Sequence, residues 1–293
     1  GMTADEANHY NRLQEPWFFE GASRLLGSAP EAYLEDYKFN IRPATDDRPY
    51  FSHFLKWQTM TELLALRNRG GLPMLEWGYL ILIATLATAL LASFILVLLP
   101  LWLQRGTQTR MQGLHWRMIV YFAAIGTAFM FVEIAFIQKF ILFLHHPLYA
   151  VSVVLCAFLV FAGLGSLFST RVGKLASLLT VSLGIGLLAV LYVLLLPGLF
   201  QWLMHLPGGF KILVSALLIA PLAVLGVVSN KLPTWIPWAW GINGCASVVS
   251  AILATLLAIH LGFRLVVFLA VGLYLLAALV LQRAQNKGPE TFA

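Results

Sequence analysis

Trp77-Gly78-Tyr79-Leu80-Ile81-Leu82-Ile83-Ala84-Thr85-Leu86-Ala87-Thr88-Ala89-Leu90-Leu91 opens a run that stays apolar as far as Leu103 and holds no Asp, Glu, Lys or Arg. A helix needs about 20 apolar residues to cross the ~30 Å hydrocarbon core of a bilayer, and this run is long enough. Trp77 and Tyr79 at its start, and Trp102 before Arg105 at its end, are residue types that settle at the membrane–water interface. Six further runs follow, at roughly 118–144, 147–170, 175–204, 209–230, 237–260 and 263–282. The reading is an all-α chain, a polytopic transmembrane helical bundle of about seven helices. Short connections make consecutive helices antiparallel neighbours, and Pro197-Gly198 predicts a kink or an early end in the fourth run.

The polar residues are segregated. Residues 1–76 carry 11 of the 13 acidic side chains, and beyond Glu76 only Glu133 and Glu290 remain. The 293 residues are 60% hydrophobic and 11% charged, with mean hydropathy +0.82, against about 45–50% and 25% for soluble domains. Two parts result: a polar head over 1–76, short, helical and irregular, and a membrane bundle over 77–293. The bilayer is the first partner implied. The net charge of +6 gives no nucleic-acid signal, because most Lys and Arg residues sit at the ends of apolar runs as headgroup anchors. Cys156 and Cys245 lie inside such runs and read as small packing residues.

In the head, Thr3 to Glu6 fits a capping box, and Ser28-Ala29-Pro30-Glu31 repeats the pattern for a second helix. Residues 37–54, with Pro43 and Pro49, should be extended or looped. Residues 55–68 should form an interfacial helix, stopped by Gly70-Gly71, with Leu63, Leu64 and Leu66 facing inward. The head has no Gly-rich phosphate loop and is short for a domain with its own core.

Glu133 is the sharpest candidate site residue, the one acidic residue within the expected spans. A charged carboxylate near a helix centre costs about 2.5–3.5 kcal/mol on insertion scales, so Glu133 should face the bundle interior. It serves there either as a cation or proton site or as an interhelical hydrogen-bonding group. Gln138 follows on the same helix, and Lys139 reads as a snorkelling anchor. Asn243, Ser247, Ala251 and Thr255 form a small and polar stripe at i, i+4 spacing, which suits a packing seam or, with Glu133, a polar intramembrane site. Asn230-Lys231, with Pro233 and Pro237, reads as a connector. Gly163, Gly165, Gly184 and Gly186 should allow close backbone approach. His145 and His146 are adjacent and lack a third ligand at metal spacing, so no metal site is expected. In the head, Asp46, Asp47 and Arg48 form the densest polar cluster, read either as an amine-holding pair or as a turn.

Four stretches, taken in order, resemble one family. Pro43-Ala44-Thr45-Asp46-Asp47-Arg48-Pro49-Tyr50-Phe51 resembles a junction in large bacterial membrane proteins of the spermidine synthase-like type. Phe131 to Lys139, His146-Pro147-Leu148-Tyr149-Ala150 and Trp238 to Gly244 are similar to the membrane half of the same family. Members have membrane helices, a Rossmann-like domain similar to aminopropyltransferases and methyltransferases, and a second membrane half. The resemblance implies that this sequence is the tail of the Rossmann-like domain plus that second half, in a bacterial inner membrane. The missing Rossmann-like domain and N-terminal membrane half would be its partners, in cis or in trans. It further implies that an S-adenosylmethionine-type ligand needs the missing domain, so no cofactor is expected on these residues and no catalytic residue is carried over. It also implies a cytoplasmic head, whereas the distribution of basic residues between the two sides of a seven-helix topology favours a cytoplasmic C-terminus. Three functions are expected in competition: a module anchoring or serving an AdoMet-type transferase, a small-molecule or polyamine-like cation transporter using Glu133, and a structural membrane scaffold.

Overall fold

The computed structural model describes residues 16–65, 76–100, 112–175, 178–225 and 236–285. Among them the only regular elements are helices, apart from isolated bridge residues at Thr45 and Arg48. In chain order these are α1 (Trp17–Leu25), α2 (Pro30–Asp36), α3 (Trp57–Ala65), α4 (Trp77–Ser93), α5 (Gln112–Leu144), α6 (Pro147–Leu175), α7 (Leu178–Leu203), α8 (Gly208–Leu225), α9 (Ile236–Leu261) and α10 (Phe263–Gln285). α4 continues into a π-helical turn, Phe94–Leu98. Six of these helices are long and apolar enough to cross a membrane. The protein is therefore an all-α helical bundle with the build of an integral membrane protein. The fifth expected run is apolar but shorter than a full crossing over its described part, α8.

The chain forms two compact units. One comprises Gly1–Thr45 with Pro49–Ile81, the other Asp46–Arg48 with Leu82–Ala293. The three residues Asp46, Asp47 and Arg48 thus belong with the bundle, although the sequence surrounds them with head.

Within the first unit, α2 starts one residue later than the capping-box reading puts it. Its N-cap is Ala29, with no side-chain cap, and Pro30 stands at N1. Proline keeps the residue before it out of the helical region and is itself pre-set for a first helical position, so Ser28 cannot be the cap. Glu31 does not reach back either; it pairs with Arg42 at 3.4 Å. Residues 37–54 form an extended and turning segment, as expected. The Lys56 ammonium ties this segment to α2 by donating to the carbonyls of Leu34, Glu35 and Tyr37. Glu76 is the second tie: it accepts from the Leu55 amide at 3.2 Å and lies 3.0 Å from His53 Nδ1. Burial pushes the Tyr50 phenol up to about 12. Thr3, Glu6, Gly70 and Gly71, and the side chains of Leu63, Leu64 and Leu66, lie outside the described residues, as do Asn230, Lys231 and Pro233.

Within the second unit, α5 is the central helix. It packs against α10, α9 and α6, while α8 packs on α6 and α10 on α7. Half of its most apolar stretch is buried, against 6% for α4. The N-terminal half of α5 packs Met118, Tyr121 and Ala124 against Ala277 and Leu281 of α10. Its C-terminal half builds an aromatic column. Phe136 meets Phe158 of α6 and Tyr192 of α7, and Phe140 and Phe143 meet Phe200, the last pair stacked at 4.5 Å. Such pairs add directional attraction to plain contact, which counts for more in lipid, where burial alone gives little. α7 runs through Pro197 to Leu203, so the expected early end does not occur.

Glycine sets two crossings. A Cβ on Gly165 of α6 would lie 2.6 Å from the Val224 carbonyl oxygen of α8, and one on Gly126 of α5 would lie 2.6 Å from Asn243 Oδ1 of α9. Gly186 sits 3.0 Å, by the same measure, from a Val271 methyl group, whereas Gly163 and Gly184 face open space. Of the four glycines expected to admit a neighbour, the second of each pair does so.

Candidate functional site

One cluster of polar groups of the second unit lies where α9 turns into α10. The whole connection is one residue, Gly262, at φ +88°. Its amide donates to the Ala258 carbonyl and closes α9, and α10 begins at the next residue. A single left-handed residue between two long helices favours glycine. Here the space is also taken: a Cβ on Gly262 would collide with Asp47 Oδ2 and stand 3.0 Å from Asp47 Cγ.

Asp47 fills that space because the first turn of α10 has free amides. Its backbone carbonyl accepts from the Phe263 amide at 3.0 Å, and its Oδ1 accepts from the Arg264 amide at 2.9 Å. Asp47 is thus an N-cap supplied from 217 residues away. Its negative charge also sits at the positive end of the helix dipole. The Arg264 guanidinium adds a longer contact, Nε to Oδ1 at 4.0 Å, on a side chain that is 58% exposed; solvent screens that pair, so the amide bonds carry the attachment.

Lys139 completes the arrangement from α5. Its ammonium donates to the Asp46 carbonyl at 3.0 Å and lies in the field of Asp47, Asp46 and Arg264. It is therefore a tether for the 46–48 segment, where the sequence suggested only a headgroup anchor. The void beside it, bounded by Lys139, Tyr192, Phe263 and Arg264 among others, measures about 30 Å³. That holds water and no organic substrate. The cluster Asp46, Asp47, Lys139 and Arg264 is a clamp in form.

No protein family, no curated protein and no solved structure matches the chain.

Glu133 is 5% exposed, and its carboxyl has no hydrogen bond or ion pair among the described residues. Asn243 meets α5 at Gly126, seven residues before Glu133, which is about 10 Å along the helix axis. The structure therefore does not bring Asn243 to Glu133. Ser247 and Gln138 are half-buried. The seam that α9 presents to α5 runs through Asn243, Ala246 and Ser250, whose hydroxyl donates to Thr127 at 2.8 Å. It shares Asn243 with the stripe read in the sequence and then runs one residue earlier, about 100° round the helix; in that stripe Thr255 bonds back to the Ala251 carbonyl of its own helix. Among the described residues no group of three or more His, Cys, Asp or Glu side chains is placed to hold a metal ion.

Two polar features escaped sequence reasoning. The His53–Glu76 pair in the first unit is one. Lys211 is the other: it is 8% exposed, with its ammonium 5.3 Å from the Phe143 ring centre and 3.7 Å from Met204 Sδ. A cation over an aromatic face is attracted by the ring quadrupole. Neither pairing has a local sequence signature, since the partners lie on different elements.

Proposed function

We propose that this chain is a membrane-embedded module that anchors, at a bacterial inner membrane, an AdoMet-type transferase domain of the kind the spermidine synthase-like resemblance implies. The observation that supports this most is the grip on Asp46–Arg48. The bundle supplies the Phe263 and Arg264 amides and the Lys139 ammonium to a segment that sits within the polar head in sequence. Such a grip ties the polypeptide around residue 47 to the membrane part. The resemblance places the join to the transferase domain on that same segment. Titration calorimetry of the purified full chain with S-adenosylmethionine and its decarboxylated form tests the reading. No binding is expected of this chain alone, and micromolar binding would overturn it.

A second reading has its own support in Glu133. A buried carboxyl without a partner among the described residues is the kind of intramembrane group found in ion and proton pathways. On this reading the chain carries a cation of the polyamine type. Glu133→Gln in proteoliposomes should then abolish uptake while the protein still elutes as a single folded species. Unchanged uptake would end this reading and leave the anchoring one standing.

A further inference from the structure

A cavity of about 590 Å³ lies between α4, α5 and α9. Its size is within the range of small-molecule sites. Four independent features converge on it. First, its wall on α4 includes Ser93 and Phe94, at the start of the π-helical turn, and such turns occur often at functional sites. Second, among the described residues the lining holds no charged side chain, which disfavours a polyamine or a phosphate as the main occupant. Third, Cys245 lies 3.8 Å from the Ser93 carbonyl as a free thiol at the wall. Fourth, the wall carries one hydroxyl pair, Ser250 donating to Thr127 at 2.8 Å. Two hydroxyls joined by one bond use one hydrogen and leave the other to donate.

The cavity is open on its α4 side, where Leu90 and Phe94 on its wall are 51% and 55% exposed, so a hydrocarbon chain can enter it from the bilayer. Water would find few polar groups among apolar walls: the Thr127–Ser250 pair, Ser93 and Cys245. We infer that the cavity is a binding site for an uncharged lipid-like molecule, a long hydrocarbon chain carrying one carbonyl or hydroxyl that accepts from the Thr127–Ser250 pair. The chain fills the apolar volume and the acceptor takes the spare hydrogen. This site is separate from the Asp47 clamp and from Glu133, so it stands or falls independently of the proposed function.

The test is photolabelling of the full chain in liposomes with a long-chain fatty-acid methyl ester bearing a diazirine. Label should concentrate on peptides containing Phe94 and Val249, above the outward-facing Leu187 and Leu194. Val249→Trp, which projects a bulkier side chain into the cavity, should lower the cavity label roughly tenfold and leave Leu187 unchanged. Thr127→Val keeps the shape and removes a hydroxyl; it should weaken labelling by the ester while leaving labelling by a diazirine alkane as it was. Label spread evenly over all lipid-facing helices would show bulk lipid only and overturn the inference. So would ester labelling that survives both substitutions.

Discussion

The two sides of α5 are built differently. Toward α6, α7 and α10 it is packed with Phe136, Phe140 and Phe143 against rings from α6 and α7, and with Met118 and Tyr121 against α10. Toward α4 it borders a large cavity. The difference teaches where this bundle is rigid. In lipid, apolar surface gains little by leaving its solvent, so stability must come from close contact and satisfied polar groups. The aromatic side has both, and it carries the clamp: Lys139 lies between Phe136 and Phe140 in sequence, and its ammonium reaches Asp46. The α4 side has room instead.

The comparison can be broken most sharply at Gly262. Gly262→Val adds a branched side chain at a positive φ and against Asp47. It should cost about 3 kcal/mol or more, read as a fall in the unfolding midpoint in mixed micelles. A midpoint equal to the parent's would mean that the joint is not built as described.

A paired substitution sharpens the contrast. Phe140→Ala empties a fully buried position. It should destabilise by about 2 kcal/mol, below the range for water-soluble cores because only packing is lost. Leu90→Ala on α4, a residue 51% exposed, should stay within about 0.5 kcal/mol. Equal losses on the two sides, measured in the same micelles, would erase the distinction.

The sequence made the helices legible because apolar length is a local property. The runs beginning at Trp77, Pro147 and Phe263 open helices at those residues. The polar partners were not legible, since they join distant positions: Lys139 and Asp46 are 93 residues apart, and Asp47 and Arg264 are 217. Asp46 and Asp47 stood out as a cluster, yet nothing local showed that the bundle would claim them. The glycines illustrate the same limit. Gly163 and Gly165 look alike in sequence, but two residues along a helix point to different faces, and only Gly165 meets α8. Pro197 reads as a breaker, and α7 continues through it, packed along the aromatic column on either side at Tyr192 and Phe200.

The bundle holds residues 46–48 through the first turn of α10. Amide hydrogen exchange of the full chain in micelles, wild type against Asp47→Ala, tests it most directly. First-turn amides of a helix have no partner within the helix, so slow exchange at Phe263 and Arg264 requires Asp47. Both amides should be protected in the wild type. Asp47→Ala should free Arg264, which loses its carboxylate partner, while Phe263 stays slow on the backbone carbonyl, at a stability cost of about 1 kcal/mol. Fast exchange at both positions in the wild type, or no change at Arg264 in the variant, would contradict it.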